Sequence, residues 1–217
     1  MHDTAANLDT ARREIVEVCR RMLHSGLVTG TSGNVSVRIA DRVLITPSGL
    51  DYDDMAPDDL AVLDLHDGSV VEATSPPSSE APLHLAVYRS GEATAVVHTH
   101  SPWATALGLV RDTLPRVHYA IRALGGPVRV APYATFGSAE LAEHVARALQ
   151  DRRGALMRNH GAVTIGTTLA EAAANAEKLE WLCQLYCRAA RLGEPAELTE
   201  AQLDDVTRSA ETTGYRL

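Results

Sequence analysis

Thr94-Ala95-Val96-Val97-His98-Thr99-His100-Ser101-Pro102 changes character twice, and its reading decides the fold. The run Thr94 to Thr99 is apolar and β-branched, the pattern of a buried strand. Ser101 followed by Pro102 opens a helix in the usual way, a cap and then a residue whose missing N–H is not needed in the first turn. Residues two apart on a strand project to the same face, with roughly 6–7 Å between their backbone anchors. His98 and His100 therefore converge on one point, while Val97 and Thr99 face the other way.

Working upstream, Ser75-Pro76-Pro77-Ser78-Ser79 breaks structure and caps a helix from about Glu80 to Arg89. Before it, Ala61 to Leu65 is a strand with a hairpin around His66-Asp67-Gly68. Asn34 to Arg38 and Val43 to Thr46 form another hairpin, entered from the turn Thr29-Gly30-Thr31-Ser32-Gly33. Leu8, Ala11, Ile15, Val18, Met22 and Leu23 have helical spacing, and Gly26 stops that helix. Downstream, Leu114 to Val117 and Val128 to Val130 are candidate strands, and Ser138 caps a helix through Leu149. Ala155 to Met157 and Val163 to Ile165 are strands around the turn Arg158-Asn159-His160-Gly161. Thr168 with Glu171 has the capping-box pattern ahead of a long helix to Leu192, and Thr199 starts a last one. Strands and helices mix without strict βαβ alternation. The expected fold is a single α/β domain, with a mixed, mainly antiparallel central sheet covered by helices on both faces.

The chain has 217 residues, 45% hydrophobic and 22% charged, enough for a core without disulfides. Three cysteines, Cys19, Cys183 and Cys187, are too few for a disulfide framework and suit a reducing compartment. The polar start of the sequence does not read as a secretory signal, and no run of apolar residues is long enough to span a membrane. Twenty basic residues against 28 acidic give a net charge of −8, which argues against nucleic acid as a partner. An anionic substrate remains open, because backbone N–H groups and hydroxyls hold phosphate. Schiff-base chemistry would have to use Lys178, the one lysine. It sits on the long helix between Glu177 and Glu180, where a solvated charge is expected.

Three local features carry chemistry. The same-face pair His98 and His100 supplies half a tetrahedral shell for zinc, cobalt, nickel or iron, or is two incidental strand histidines. His160 stands on a tight turn at a sheet edge, where sites gather, or simply faces water. Ser78-Ser79-Glu80 heads a helix, as an ordinary cap or as an anion site with a carboxylate beside it. The turn Thr31 to Asn34 and Ser48-Gly49 are further donors to that anion, or ordinary turns. His84, His118 and His144 read as packing or surface residues.

Taken in order, five segments are similar to one family: 29–38, Leu-Ile-Thr-Pro-Ser-Gly (44–49), Pro-Ser-Ser-Glu (77–80), Val-Val-His-Thr-His (96–100) and Asn-His-Gly (159–161). His118-Tyr119-Ala120 and Ala131 to Gly137 extend the match. The chain resembles the zinc-dependent class II aldolases of sugar phosphates, in the L-fuculose-1-phosphate branch of a superfamily that also holds the adducin head. The resemblance implies one such domain over residues 1–217. It implies an enzyme, a carbon–carbon lyase cleaving a ketose 1-phosphate to dihydroxyacetone phosphate and a small aldehyde such as lactaldehyde.

By the same resemblance, His98, His100 and His160 hold Zn2+ (Mn2+ or Co2+ as alternatives), one per subunit. Glu80 completes the metal site and moves a proton. Gly33, Asn34, Ser48, Gly49, Ser78 and Ser79 cradle the substrate phosphate. Tyr119 reaches a neighbouring subunit's site and handles the proton of the departing aldehyde oxygen, in a cytoplasmic homotetramer with shared sites. A divalent cation stabilises the charge left by carbon–carbon cleavage without a Schiff base, which fits a chain with one lysine. The family places a tyrosine before the glycine near the C-terminus. Here Thr213 stands there, and Tyr215 is the candidate for that tail contact. Alternatives within the superfamily are a sugar-phosphate 4-epimerase, a dehydratase or a decarboxylase, and outside it a non-catalytic interaction module.

Overall fold

The computed structural model describes residues 2–214, and the apolar run at 95–99 becomes the middle strand of a nine-stranded sheet. In chain order the elements are α1 (His2–His24), β1 (Asn34–Ile39), β2 (Arg42–Ile45), β3 (Ala61–Asp64), β4 (Val70–Glu72), α2 (Ala81–Ser90), β5 (Ala95–Thr99) and α3 (Pro102–Val110). β6 (Thr113–Leu114), β7 (Val128–Ala131), α4 (Ala139–Ala148), β8 (Gly154–Met157), β9 (Gly161–Gly166), α5 (Leu169–Ala190) and α6 (Glu200–Thr213) follow. Short 3-10 segments cover Pro57–Asp59 and Tyr119–Leu124. Tyr215 lies outside the described residues.

The strand order is β4-β3-β2-β1-β5-β9-β8-β7-β6. Every pairing is antiparallel except β7 with β8, so the sheet is mixed and mainly antiparallel, as expected. β5 pairs with β1 through His98 opposite Asn34, and with β9 through His98 opposite Val163. Side chains opposite one another share a face, so Asn34, Ser36, Val96 and His98 all point the same way.

That face is covered by α2 and α4, whose Leu83, Val87, Leu141 and Val145 pack on Ile45, Val96 and Val163. The opposite face buries Val35 and Val97 against α1 and the first half of α5. The second half of α5 joins α3, the 119–124 segment and Leu203 of α6 over Leu156. A single helix thus seals two of the three apolar clusters. Each fully buried Leu or Val contributes roughly 1.5–3 kcal/mol, so these layers set the frame. None of the described helices is long and apolar enough to cross a membrane.

Several local expectations need correction. The strand expected over Leu114 to Val117 is only Thr113–Leu114, because Pro115 brings no N–H to continue the ladder. The chain then turns into the 119–124 segment, capped by His118, whose Nδ1 accepts from Ala120 N–H. Glu180 is not simply solvent-facing: its carboxylate accepts from the N–H groups of Trp103 and Ala104. It therefore caps α3 from a distance, a role the sequence assigned to Ser101, whose side chain makes no cap bond. At α5 only half of the capping box forms. Thr168 accepts from Glu171 N–H, while the Glu171 carboxylate goes to Thr167. α1 begins at His2, earlier than the apolar spacing indicates.

Candidate active site

The metal-type residues come from three separated segments. His98 is the penultimate residue of β5, His100 lies just past its end, and His160 sits on the β8–β9 turn. That turn presses close to β5: a Cβ on Gly161 would lie 2.1 Å from the Thr99 carbonyl oxygen. Glycine is therefore required beside His160. The fourth member, Glu80, is the N-cap residue of α2. The cap expected of the serines is weak, since Ser78 Oγ accepts only from Glu80 N–H at 3.2 Å, and Glu80 turns its carboxylate into the cluster.

The three imidazole rings stand mutually edge-on with every pair of centroids 4.9 Å apart. His98 Nε2 lies 3.0 Å from His100 Nε2 and 3.0 Å from Glu80 Oε2. His160 Nε2 is 3.4 Å from Glu80 Oε1, which is buried and accepts no hydrogen bond. One ligand atom from each of the four residues lies within 4.8 Å of all the others.

The donor set fits a divalent cation. His98 Nδ1 donates to the Ala162 carbonyl at 2.9 Å, which directs Nε2 inward. With its proton on Nδ1, a neutral His98 has none on Nε2 to offer Glu80 or His100, and Glu80 Oε1 is orphaned as well. A cation accepts lone pairs from all four. Zinc bonds of 2.0–2.1 Å at tetrahedral angles separate ligand atoms by about 3.3 Å; the three shortest contacts, 3.0–3.4 Å, match that, and all four residues offer atoms within 4.8 Å of one another. Burial pushes His100 down to about 4 and lowers His160 as well, so both are neutral at pH 7, as ligation requires. Burial opposes charge on Glu80, but the electrostatic pull of His98 and the hydrogen bond from Asn34 outweigh it and hold the carboxyl well below the usual carboxylate range.

A cleft of about 350 Å³ opens beside this cluster. Glu80, His100 and His160 line its floor, and Gly33, Asn34, Ser48, Gly49, Ser78 and Ser79 line its wall. Two backbone bonds stitch that wall together: Ser48 N–H to Pro76 carbonyl at 2.9 Å and Ser78 N–H to Thr46 carbonyl at 3.0 Å. Those two N–H groups are spent, so Ser48 and Ser78 offer the cleft their hydroxyls. Gly33 allows the wall to approach β5, because a Cβ there would meet the His98 carbonyl oxygen at 2.8 Å. Among the described residues, no lysine or arginine lines the cleft.

Tyr119 is not among the cleft residues. It is partly exposed on the 119–124 segment, with its ring 4.3 Å from that of His118. Thr31, from the turn read as a donor, lines the cleft, and so do Asn159, Tyr133 and Phe136, which had not been singled out. Each lies inside a quoted motif, and Tyr133 and Phe136 are exposed aromatics, at 61% and 64%. Nothing local in the sequence distinguishes them from loop residues. His84 is fully buried and hydrogen-bonded at both nitrogens rather than merely packed.

The sequence model of the Class II Aldolase and Adducin N-terminal domain matches residues 13–187. The chain belongs to this family. It is 40% identical over 212 residues to the 5-deoxy-D-ribulose 1-phosphate aldolase of Bacillus thuringiensis serovar kurstaki, covering 96% of this chain and 99% of the relative. It is 38% identical over 208 residues to the L-fuculose phosphate aldolase of Escherichia coli K12, covering 94% and 96%. A solved L-fuculose 1-phosphate aldolase superposes with a TM-score of 0.89 at 35% identity, over 93% of this chain and 96% of that one. The protein is thus a class II aldolase, a carbon–carbon lyase, and its cluster of one glutamate and three histidines is a candidate metal centre.

Proposed function

We propose that this aldolase cleaves a ketose 1-phosphate of the L-fuculose 1-phosphate type into dihydroxyacetone phosphate and a small aldehyde such as lactaldehyde. One observation carries the reading: a single cleft joins the cluster of Glu80 and three histidines to a wall of neutral donors. The relatives named for 5-deoxy-D-ribulose 1-phosphate and L-fuculose phosphate support the substrate class. The reading takes residues 1–217 as one catalytic domain acting in the cytoplasm, where its cysteines stay reduced.

His98, His100, His160 and Glu80 would hold the cation, with zinc favoured by three imidazoles over the all-oxygen sites of magnesium or calcium. When bound, it supplies Lewis acidity to the substrate's adjacent carbonyl and hydroxyl oxygens. Ser78 Oγ already accepts from Glu80 N–H, which leaves its own proton for a phosphate oxygen. Ser48, Ser79, Gly33, Gly49 and the remaining Asn34 N–H complete a cradle that needs no cationic side chain. In cleavage the hydroxyl oxygen that becomes the aldehyde gives up its proton and the carbon–carbon bond breaks. The electron pair of the broken bond stays on the phosphate-bearing fragment; the Glu80 carboxylate would take up one proton from water and hand it to that carbon, so one proton leaves oxygen and one arrives at carbon.

Tyr119 of a neighbouring subunit exchanges the proton of the aldehyde oxygen, in a homotetramer with shared sites. Its absence from its own chain's cleft supports that arrangement. Mixed tetramers of Tyr119→Phe and His98→Ala chains should regain activity through sites with both residues intact. No recovery despite proven mixing would remove Tyr119 from this role.

The test of the function is a panel of ketose 1-phosphates and 5-phosphates assayed for dihydroxyacetone phosphate. Release from a deoxyketose 1-phosphate is expected, with the dephosphorylated sugar at least about 10-fold poorer, the worth of one charge-assisted hydrogen bond. An epimerised, dehydrated or decarboxylated product with no dihydroxyacetone phosphate would overturn it.

A further inference from the structure

Glu80, His84 and Tyr88 follow one another at helical spacing, and Asn34 and Ser36 share one face of β1. Where α2 crosses β1 these five side chains interlock. Tyr88 and Ser36 hydroxyls are 2.7 Å apart, and Ser36 Oγ is 2.6 Å from His84 Nδ1. His84 Nε2 is 2.5 Å from Asn34 Oδ1, and Asn34 Nδ2 donates to Glu80 Oε2 at 2.9 Å. Ser36 and His84 are fully buried, and Asn34 and Tyr88 nearly so.

The position of every proton in this chain follows from its last member. A carboxylate only accepts, so Asn34 must offer Glu80 its N–H and turn its carbonyl to His84. That carbonyl only accepts, so His84 Nε2 carries a proton. Burial holds the ring neutral, with its pKa pushed down to about 3, so Nδ1 is bare and accepts from Ser36. Ser36 has one proton, and it in turn accepts from Tyr88. If the Asn34 amide were reversed, its carbonyl oxygen would face the Glu80 carboxylate, two buried acceptors with no proton between them.

We infer that His84 is a positioning residue: through Asn34 it fixes which end of the amide meets Glu80 and so aims Glu80 Oε2 at the centre of the three imidazoles. The inference takes the cluster as the metal centre proposed above, but its test needs no substrate. Partners of ligating groups typically change metal affinity or activity by 10–100-fold when removed.

The experiment compares wild type, His84→Leu and His84→Gln. Glutamine keeps an N–H at the Nε2 position, and leucine does not. Zinc affinity, read by competition with a chelator, should fall about 10–100-fold in His84→Leu and stay near wild type in His84→Gln. In metal-free wild type, 15N NMR of His84 should show a protonated Nε2 and a bare Nδ1. If the aldolase reading holds, kcat should follow the same order with KM little changed. Equal losses in both variants would mean a packing role, and unchanged zinc affinity in folded His84→Leu would overturn the inference. Should His84→Leu not fold, a proton on Nδ1 rather than Nε2 in wild type overturns it independently.

Discussion

The two ends of the cleft are built on opposite principles. At the end formed by the Glu80–histidine cluster, His98 is fully buried and Glu80 is 5% exposed, each fixed by direct bonds to β1, β9 or another member of the cluster. At the other end Ser48, Gly49 and Ser79 are exposed on loops held only by backbone stitches. The difference follows from charge. Ionic and lone-pair groups away from water are costly unless paired, so their geometry must be built into the sheet and α2. Neutral hydroxyls in contact with water cost little to leave waiting, so loops suffice.

This contrast ranks the effects of substitution. His98→Ala should strike hardest, removing bound metal and reducing cleavage to background, because His98 is the cluster member that touches both His100 and Glu80. Metal analysis and activity on the same sample check it. Glu80→Gln should leave three imidazoles that still hold metal under saturating zinc, with affinity lowered by at least the 10–100-fold expected of His84→Leu, yet slow turnover of the loaded protein by about 10²–10⁴-fold through loss of the proton carrier. If both variants lost metal equally, Glu80 would be a structural ligand first.

At the open end the expected change is of a different kind. Ser48→Ala should raise KM for the phosphorylated substrate by about 10–100-fold, the worth of one hydrogen bond to a charged group, with metal content unchanged. A drop in kcat alone would dissolve the distinction between the two ends.

The smallest effect is thermodynamic. His84 titrates near pH 3 in the folded protein and near 6.5 unfolded, so below 6.5 the unfolded chain binds more protons. This contribution to stability is present above pH 6.5 and is lost as pH falls towards 3. Between pH 8 and pH 5 the loss is about 2 kcal/mol. Metal-free wild type should therefore lose that much more than His84→Gln in denaturant melts over this range. Parallel losses would place the ring's titration elsewhere.

Much of this was legible in the sequence for physical reasons. The apolar run at 95–99 and its two-residue period placed His98 and His100 together, because strand geometry is local. The sheet's mixed character followed from the element order. What could not be read depends on contacts distant in sequence. Glu180 caps α3 across the fold, which no short pattern encodes. His84 read as a packing or surface residue, and only the register of α2 on β1 shows both of its nitrogens engaged. Pro115 was a visible stop for β6, but the apolar residues around it resembled a longer strand. Tyr133 and Phe136 reach the cleft through a loop path that their own residues do not dictate.

The central claim is that one cation in the Glu80-His98-His100-His160 cluster carries the cleavage. Its most direct test is to strip the protein with chelator and titrate zinc back, following bound metal and dihydroxyacetone phosphate release together. Activity should rise in proportion to bound zinc and saturate at about one per chain, the capacity of a single four-ligand site. Full activity in metal-free protein, or saturation unrelated to bound zinc, would contradict the account.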